Sequence, residues 1–303
     1  MNKVLILIST YNGEKFLPKL LDSLTEQTYK NLMIIARDDG STDRTRDILN
    51  SYDIKILPSS ENIGAKKSFS KLIEYALQNT DSNYFMFSDQ DDVWKTDKVE
   101  NTLEKMQEME KKYLNKPILV HTDLEVVDKD LQIVHNSFFL YQKLNPKYAS
   151  LNNLLVQNNI TGCTIMINRR LAKIALPIPS KAIMHDWWLG LVAAYFGQIA
   201  FLDEQTILYR QHEQNHIGAK KFDLVDLIKK FRFKEVFMKK ELIAQAKDFF
   251  DMYYDLLDYK TIEMLNNFII IEKKSFFKRK KIIFKYKLYK QNYLRNINFI
   301  LNI

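Results

Sequence analysis

Short apolar runs alternate with longer helical patterns through the first ninety residues. Residues 4–8 form a continuous apolar run. Residues 14–27 place Phe16, Leu17, Leu20, Leu21 and Leu24 on one helical face, with Asn12 or Gly13 at the cap. The alternation predicts strands over residues 32–36, 54–57 and 84–87. It predicts helices from Thr42 or Asp43 to about Asn50 and over residues 66–77. Apolar strands separated by helices imply an α/β fold, with a mainly parallel sheet covered by helices on both faces. After Pro117 the pattern loosens into a hairpin near residues 126–130, a strand over 164–167 and another over 207–209.

Glycine and proline divide the chain. All seven glycines and all six prolines lie at or before Gly218, so the rest, with apolar residues at helical spacing (Leu224, Leu227, Ile228 and Phe231; Phe249, Tyr253, Leu256 and Leu257), is expected to be helical. The expected organisation is therefore a mixed domain over 1–220 and a helical region over 221–303. The net charge of +8 sharpens this division: ten Lys and Arg and no Asp or Glu lie from Lys273 onward, leaving 35 basic against 37 acidic residues before it. That basic tail, interleaved with Phe276, Phe277, Phe284, Tyr286, Tyr289, Tyr293 and Phe299, suits an anionic membrane surface or helices packed on the body. No run reaches the ~18 apolar residues of a membrane span, and residues 4–8 are too short for a signal segment. A cytoplasmic protein, peripheral at most on the inner membrane face, is expected. The single cysteine, Cys163, excludes an internal disulfide and a cysteine-rich metal cluster.

Ligands of open α/β sheets bind beyond the carboxyl ends of the strands. Three polar clusters fall there: Ser9-Thr10-Tyr11-Asn12, Asp38-Asp39-Gly40-Ser41 and Ser88-Asp89-Gln90-Asp91-Asp92. The acidic run supplies hard oxygen ligands for Mg²⁺ or Mn²⁺, or else forms a solvated turn before the next helix. Asp38 and Asp39 can accept from a nucleobase N–H, while Ser41 or Asp43 can simply cap a helix. Asp186, beside His185 at the start of an apolar helix, is either a cap or a general base; Trp187 and Trp188 are either core residues or flat faces for a sugar. Arg210 suits a diphosphate and His212 a metal, or both belong to a surface loop. His121, His135 and His216 show no ligand spacing. Neither a Gly-x-Gly-x-x-Gly turn after the first strand nor a Gly-Lys-Ser/Thr phosphate loop is present, which disfavours dinucleotide oxidoreductases and P-loop NTPases.

In order, Ile8-Ser9-Thr10-Tyr11-Asn12-Gly13, Asp38-Asp39-Gly40-Ser41-Thr42-Asp43, Asn62-Ile63-Gly64, Phe87-Ser88-Asp89-Gln90-Asp91-Asp92-Val93-Trp94 and His185-Asp186-Trp187-Trp188 resemble a family 2 glycosyltransferase of GT-A fold. The segments His121-Thr122-Asp123-Leu124, Thr161-Gly162-Cys163-Thr164 and Tyr209-Arg210-Gln211-His212-Glu213-Gln214-Asn215 are similar to bacterial rhamnosyltransferases of surface polysaccharide synthesis. The resemblance implies that Thr10, Tyr11, Asn12, Asp38, Asp39, Gly64, Asp89, Gly162 and Arg210 bind a nucleotide-sugar donor. It implies Asp91, Asp89 and His212 as ligands of Mg²⁺ or Mn²⁺ and Asp186 as the base; Trp187 and Trp188 stand beside that base as candidate acceptor contacts. Many relatives carry Glu where His185 stands, so only Asp186 takes a role from that pair. The implied donor is dTDP-β-L-rhamnose, or alternatively a UDP-hexose such as UDP-galactose or UDP-glucose. The implied acceptor is a lipid-linked saccharide, met by loops near residues 136–160 and the C-terminal helices. A basic nucleic-acid-binding protein is the competing class, but it leaves the ordered acidic motifs unexplained, and no nucleic-acid partner is expected.

Overall fold

The computed structural model describes residues 2–212 and 233–303. The expected motif residues Glu213, Gln214 and Asn215, His216, the helical positions Leu224, Leu227, Ile228 and Phe231, and the boundary at residue 220 lie outside them.

Strand β1 (Val4–Thr10) is central, and its alternate side chains feed two cores. Leu5 and Leu7 point into one with Phe69, Leu72 and Ile73 of α3 (Ala65–Asn79). Val4, Ile6 and Ile8 point into the other with Leu17, Leu20, Leu21 and Leu24 of α1 (Leu17–Thr25). This period-two division builds a sheet between two helical layers. Helix α1 is shorter than expected: residues 14–16 form a turn and Pro18 occupies the first helical turn, where its missing N–H costs nothing.

Strands β2 (Leu32–Asp38), β3 (Lys55–Leu57) and β4 (Tyr84–Ser88) join β1 in parallel, in the order β3-β2-β1-β4. Helix α2 (Thr45–Asn50) connects β2 to β3. Thr10 pairs with Asp38 and Ile8 with Ser88, so the three polar clusters leave the sheet at one rim, as expected.

Beyond β4 the sheet departs from a mainly parallel one. The chain continues through β5 (Val93–Trp94), α4 (Lys98–Lys112), β6 (Ile118–Val127), β7 (Ile133–His135), α5 (Phe138–Gln142) and α6 (Leu151–Leu154). It then forms β8 (Met166–Asn168), α7 (Arg169–Ala175), α8 (His185–Phe196) and β9 (Gln198–Arg210). Strand β8 lies antiparallel between β4 and β6, β9 runs parallel to β6, and β5 and β7 pair antiparallel with β9 and β6. The strand expected over 164–167 begins later, because residues Gly162–Thr164 form a 3₁₀ turn.

The C-terminal helices are α9 (Phe233–Tyr253), α10 (Tyr259–Ile269), α11 (Phe276–Tyr286) and α12 (Tyr293–Asn302). They contribute Phe249, Phe268, Ile283 and Phe299 to the same core as Leu5, Leu7 and Trp188. The helical region is thus packed on the body's own apolar face. Among the described residues no helix is long and apolar enough to cross a membrane.

Candidate active site

The first two rim loops are interlocked. Asn12 N–H donates to Ser41 Oγ, Gly13 N–H to Thr45 Oγ1 and Glu14 N–H to Asp43 Oδ2, while Asn12 Oδ1 accepts from Thr42 N–H. Asn12 adopts φ 47°, a left-handed conformation that Asn tolerates better than most residues. Gln90 ties in the third loop, accepting from Tyr11 N–H at 2.8 Å and donating to Tyr11 O at 3.0 Å. A Cβ on Gly13 would stand 2.5 Å from Gln90 Oε1, so this clamp requires glycine there. Gln90 was not singled out from the sequence; its place between two carboxylates drew attention to them instead.

Asp38 and Asp39 are both buried and held by protein donors. Asp38 accepts from Thr10 Oγ1 at 3.1 Å and from Ser41 N–H and Oγ, and pairs with Arg46 Nε at 3.4 Å. Half-exposed Arg46 covers an otherwise sealed carboxylate. Asp39 pairs with buried Arg37 and accepts from Ile63 N–H and Gly64 N–H at 3.0 and 2.7 Å. These partners tie both Asp39 and Asn12 into the rim. Asp39 fastens the Asn62-Ile63-Gly64 loop, and Asn12 spends its amide oxygen on Thr42. Tyr11 stays exposed at the rim.

Arg210 is likewise held by the protein itself. Its Nε donates to Asp91 O at 2.9 Å and its Nη1 to Lys129 O at 2.7 Å, and its guanidinium lies 4.7 Å from the Phe16 ring centroid. The residue is buried and supports the acidic loop from behind. The His212 ring packs on the same phenylalanine, with centroids 4.7 Å apart, and its Nε2 lies 2.8 Å from Asp91 Oδ2. Phe16, read from the sequence only as one more apolar position of α1, is the platform on which both side chains rest.

The remaining carboxylates are crowded. Burial, followed by the charges of Asp91 and Asp186, pushes Asp89 up to about 7. Asp186 opens α8 with Oδ1 accepting from Trp187 N–H at 2.7 Å and Oδ2 from Asn158 Nδ2 at 3.3 Å, yet burial still raises it to about 6. Among the described residues no Lys or Arg forms an ion pair with Asp89 or Asp186. Gly162 bridges the two regions: a Cβ there would meet His185 Nε2 at 3.1 Å and Asp186 Cβ at 3.6 Å. His185 stacks on Phe69 with centroids 4.0 Å apart, and burial lowers it to about 3, so it is neutral at physiological pH.

This donor set fits a divalent cation. Asp91 and His212 already converge, and the crowding of Asp89 is what a cation would relieve. Asp92 and Cys163 also lie near Asp89, with one ligand atom from each within 4.8 Å. Burial pushes the Cys163 thiol well up, leaving it protonated and ill suited to a hard cation. Asp92 is instead interior support, its Oδ1 accepting from Arg210 N–H at 3.4 Å. Behind it lies fully buried Lys98, its Nζ 4.5 Å from the Trp94 ring centroid. A lysine in the apolar stripe Val99, Leu103, Met106 was the overlooked signal.

Both tryptophans after Asp186 are core residues. Trp188 is completely buried against Phe249 and Tyr253 and donates Nε1–H to Ala175 O; Trp187 is buried and donates to Leu154 O. The Trp188 indole lies against Phe249 and Tyr253 of α9.

Residues 5–173 match the family described as "Glycosyl transferase family 2". The chain belongs to glycosyltransferase family 2. It is 30% identical over 231 residues to the dTDP-rhamnosyl transferase RfbG of Shigella flexneri, an alignment covering 70% of this chain and 74% of RfbG. The fold is similar to S. aureus TarS 1–349 in complex with UDP-GlcNAc, at TM-score 0.59 and 16% identity, covering 94% of this chain and 80% of that one. Against the longer TarS chain the match spans 44% of its length. The mannosyltransferase PcManGT of Pyrobaculum calidifontis, in complex with GDP-Man and Mn²⁺, is similar at TM-score 0.50 and 12% identity, covering 99% of this chain and 86% of that one. The family 2 architecture is therefore a GT-A-like mixed sheet followed by a helical region.

Proposed function

We propose that this family 2 enzyme transfers L-rhamnose from dTDP-β-L-rhamnose, with inversion, to a hydroxyl of a lipid-linked saccharide in bacterial surface polysaccharide synthesis. The observation that carries the reading is Asp186: a carboxylate raised to about 6, at a helix start, close enough to Asp89 to perturb it. A base with that affinity for protons is ionised at neutral pH and can accept one. The similarity to a dTDP-rhamnosyl transferase supports the donor.

In this reading Asp186 takes the proton from an acceptor hydroxyl as its oxygen attacks the anomeric carbon. The bond from that carbon to the diphosphate breaks on the opposite face, so a β-L donor yields an α-L-rhamnoside. Asp91, Asp89 and His212 would hold Mg²⁺ or Mn²⁺, which supplies positive charge for the departing diphosphate. Arg210 and Phe16 keep Asp91 and His212 in place. Tyr11 lines the nucleoside end, beside the rim that Asp38 shapes through Thr10 and Ser41. The protein works at the inner face of the plasma membrane, where such acceptors are presented.

Displacement of labelled donor by dTDP-rhamnose, UDP-glucose and UDP-galactose, with Mg²⁺ or Mn²⁺, tests the donor. Preference for the dTDP sugar is expected, and preference for a UDP sugar overturns that assignment while leaving the chemistry. Full transfer activity in Asp186→Asn overturns the mechanism.

A further inference from the structure

The basic C-terminal segment is folded, and only part of its aromatic content is free. Tyr286 and Phe299 are buried. Helix α11 turns Ile282, Ile283 and Tyr286 inward. At about 100° per residue, Phe277, Lys281 and Phe284 fall on its outer side. Phe277 is 82% exposed and Phe284, two turns later on the same line, 56%. Exposed Lys273, Lys278, Lys281 and Lys287 surround them without an acidic partner among the described residues. Lys285, in contrast, is paired with Glu263. Helix α12 repeats the pattern: Tyr293, Ile297 and Leu301, four residues apart, are 78%, 37% and 63% exposed.

We propose that the outer face of α11 is a membrane-docking surface for anionic phospholipid, with Phe277 and Phe284 entering the headgroup region and the surrounding lysines pairing with lipid phosphates. Large exposed aromatics on two turns of one helix call for a partner. Charge decides which one. No Asp or Glu follows Glu272 in the chain, so a second copy presenting the same face would repel it, whereas an anionic bilayer is complementary. An amphipathic helix lying in the interface uses this pairing of aromatic and basic residues. The surface gives the lipid-linked acceptor of the proposed function a place to be met, and on that point alone it rests on that reading. Vesicle binding is measured without any sugar, so either idea can fail without the other.

The full chain is mixed with phosphatidylcholine vesicles, with and without phosphatidylglycerol, and co-sedimentation is measured. Binding to the anionic vesicles alone is expected. Lys278→Glu with Lys281→Glu lowers partitioning by roughly 25-fold, about five-fold for each lysine removed. Phe277→Ser with Phe284→Ser lowers it by roughly ten-fold or more. Both variants keep the parent Tm and donor affinity, since these side chains lie outside the core. Equal binding to neutral vesicles, or unchanged binding in both variants, overturns the proposal. So does tight, salt-sensitive RNA binding that the lysine variant abolishes, or a dimer that the phenylalanine variant dissociates.

Discussion

Two groups of carboxylates stand at the same rim and are treated in opposite ways. Asp38 and Asp39 are surrounded by donors: Thr10, Ser41, Arg46, Arg37 and the backbone of Ile63 and Gly64. Asp89 and Asp186 have no basic ion-pair partner among the described residues, and both are pushed up, to about 7 and about 6. The first group is complete within the protein and stabilises it. The second lacks such basic partners among the described residues. Carboxylates of the second kind mark reactive sites, because crowding and desolvation leave unmet demand for a cation or a proton.

The largest effect expected from this contrast is on turnover. Asp186→Asn keeps shape and burial but cannot accept a proton, so kcat should fall by about 10²–10⁴-fold with Tm unchanged. Steady-state kinetics alongside a melting curve checks it. Asp39→Ala should behave in the reverse manner: it leaves Arg37 buried without its carboxylate, at about 3–5 kcal/mol. Denaturant titration would show a large loss of stability, and an unchanged midpoint would break the division between the two groups.

Metal should act on Asp89 and its neighbour Asp91, and not on Asp38 or Asp39. At about 100 times its dissociation constant, Mn²⁺ adds roughly 2.7 kcal/mol of stability to the parent and none to Asp91→Ala, read as a shift in Tm with and without chelator. The smallest effect is a pH limb. Burial raises Asp186 to about 6, and in the proposed mechanism the ionised form is the base. Hence kcat/KM should drop about ten-fold per pH unit below 6 and level off above it. A limb near 4 would mean that Asp186 behaves as an ordinary solvated carboxylate.

Much of the body was legible because hydrophobic periodicity reports burial. The runs that became β1 and α3 sit within two residues of their expected ends, and the three polar clusters do leave the sheet at one rim. Strand direction was not legible past β4. An apolar strand reads the same whether its neighbour runs parallel or antiparallel, so the reversal at β8 depends on partners far along the chain. Trp188 illustrates the same gap. Beside a candidate base it suits a sugar, yet Phe249 and Tyr253, more than sixty residues away in the chain, enclose it.

Sequence alone determined which chemistry this protein carries: the order of acidic motifs, the excess of charge after Glu272 and the kinship with family 2 glycosyltransferases. Tertiary structure alone decided which carboxylates are satisfied. Adjacent aspartates such as Asp38 and Asp39, or Asp91 and Asp92, are chemically identical in the sequence. What distinguishes them is the set of donors and charges brought within a few ångströms by residues such as Arg37, Arg46, Gly64 and His212. Those short-range partners are assembled by folding, and they determine whether a carboxylate serves as a latch or as a ligand.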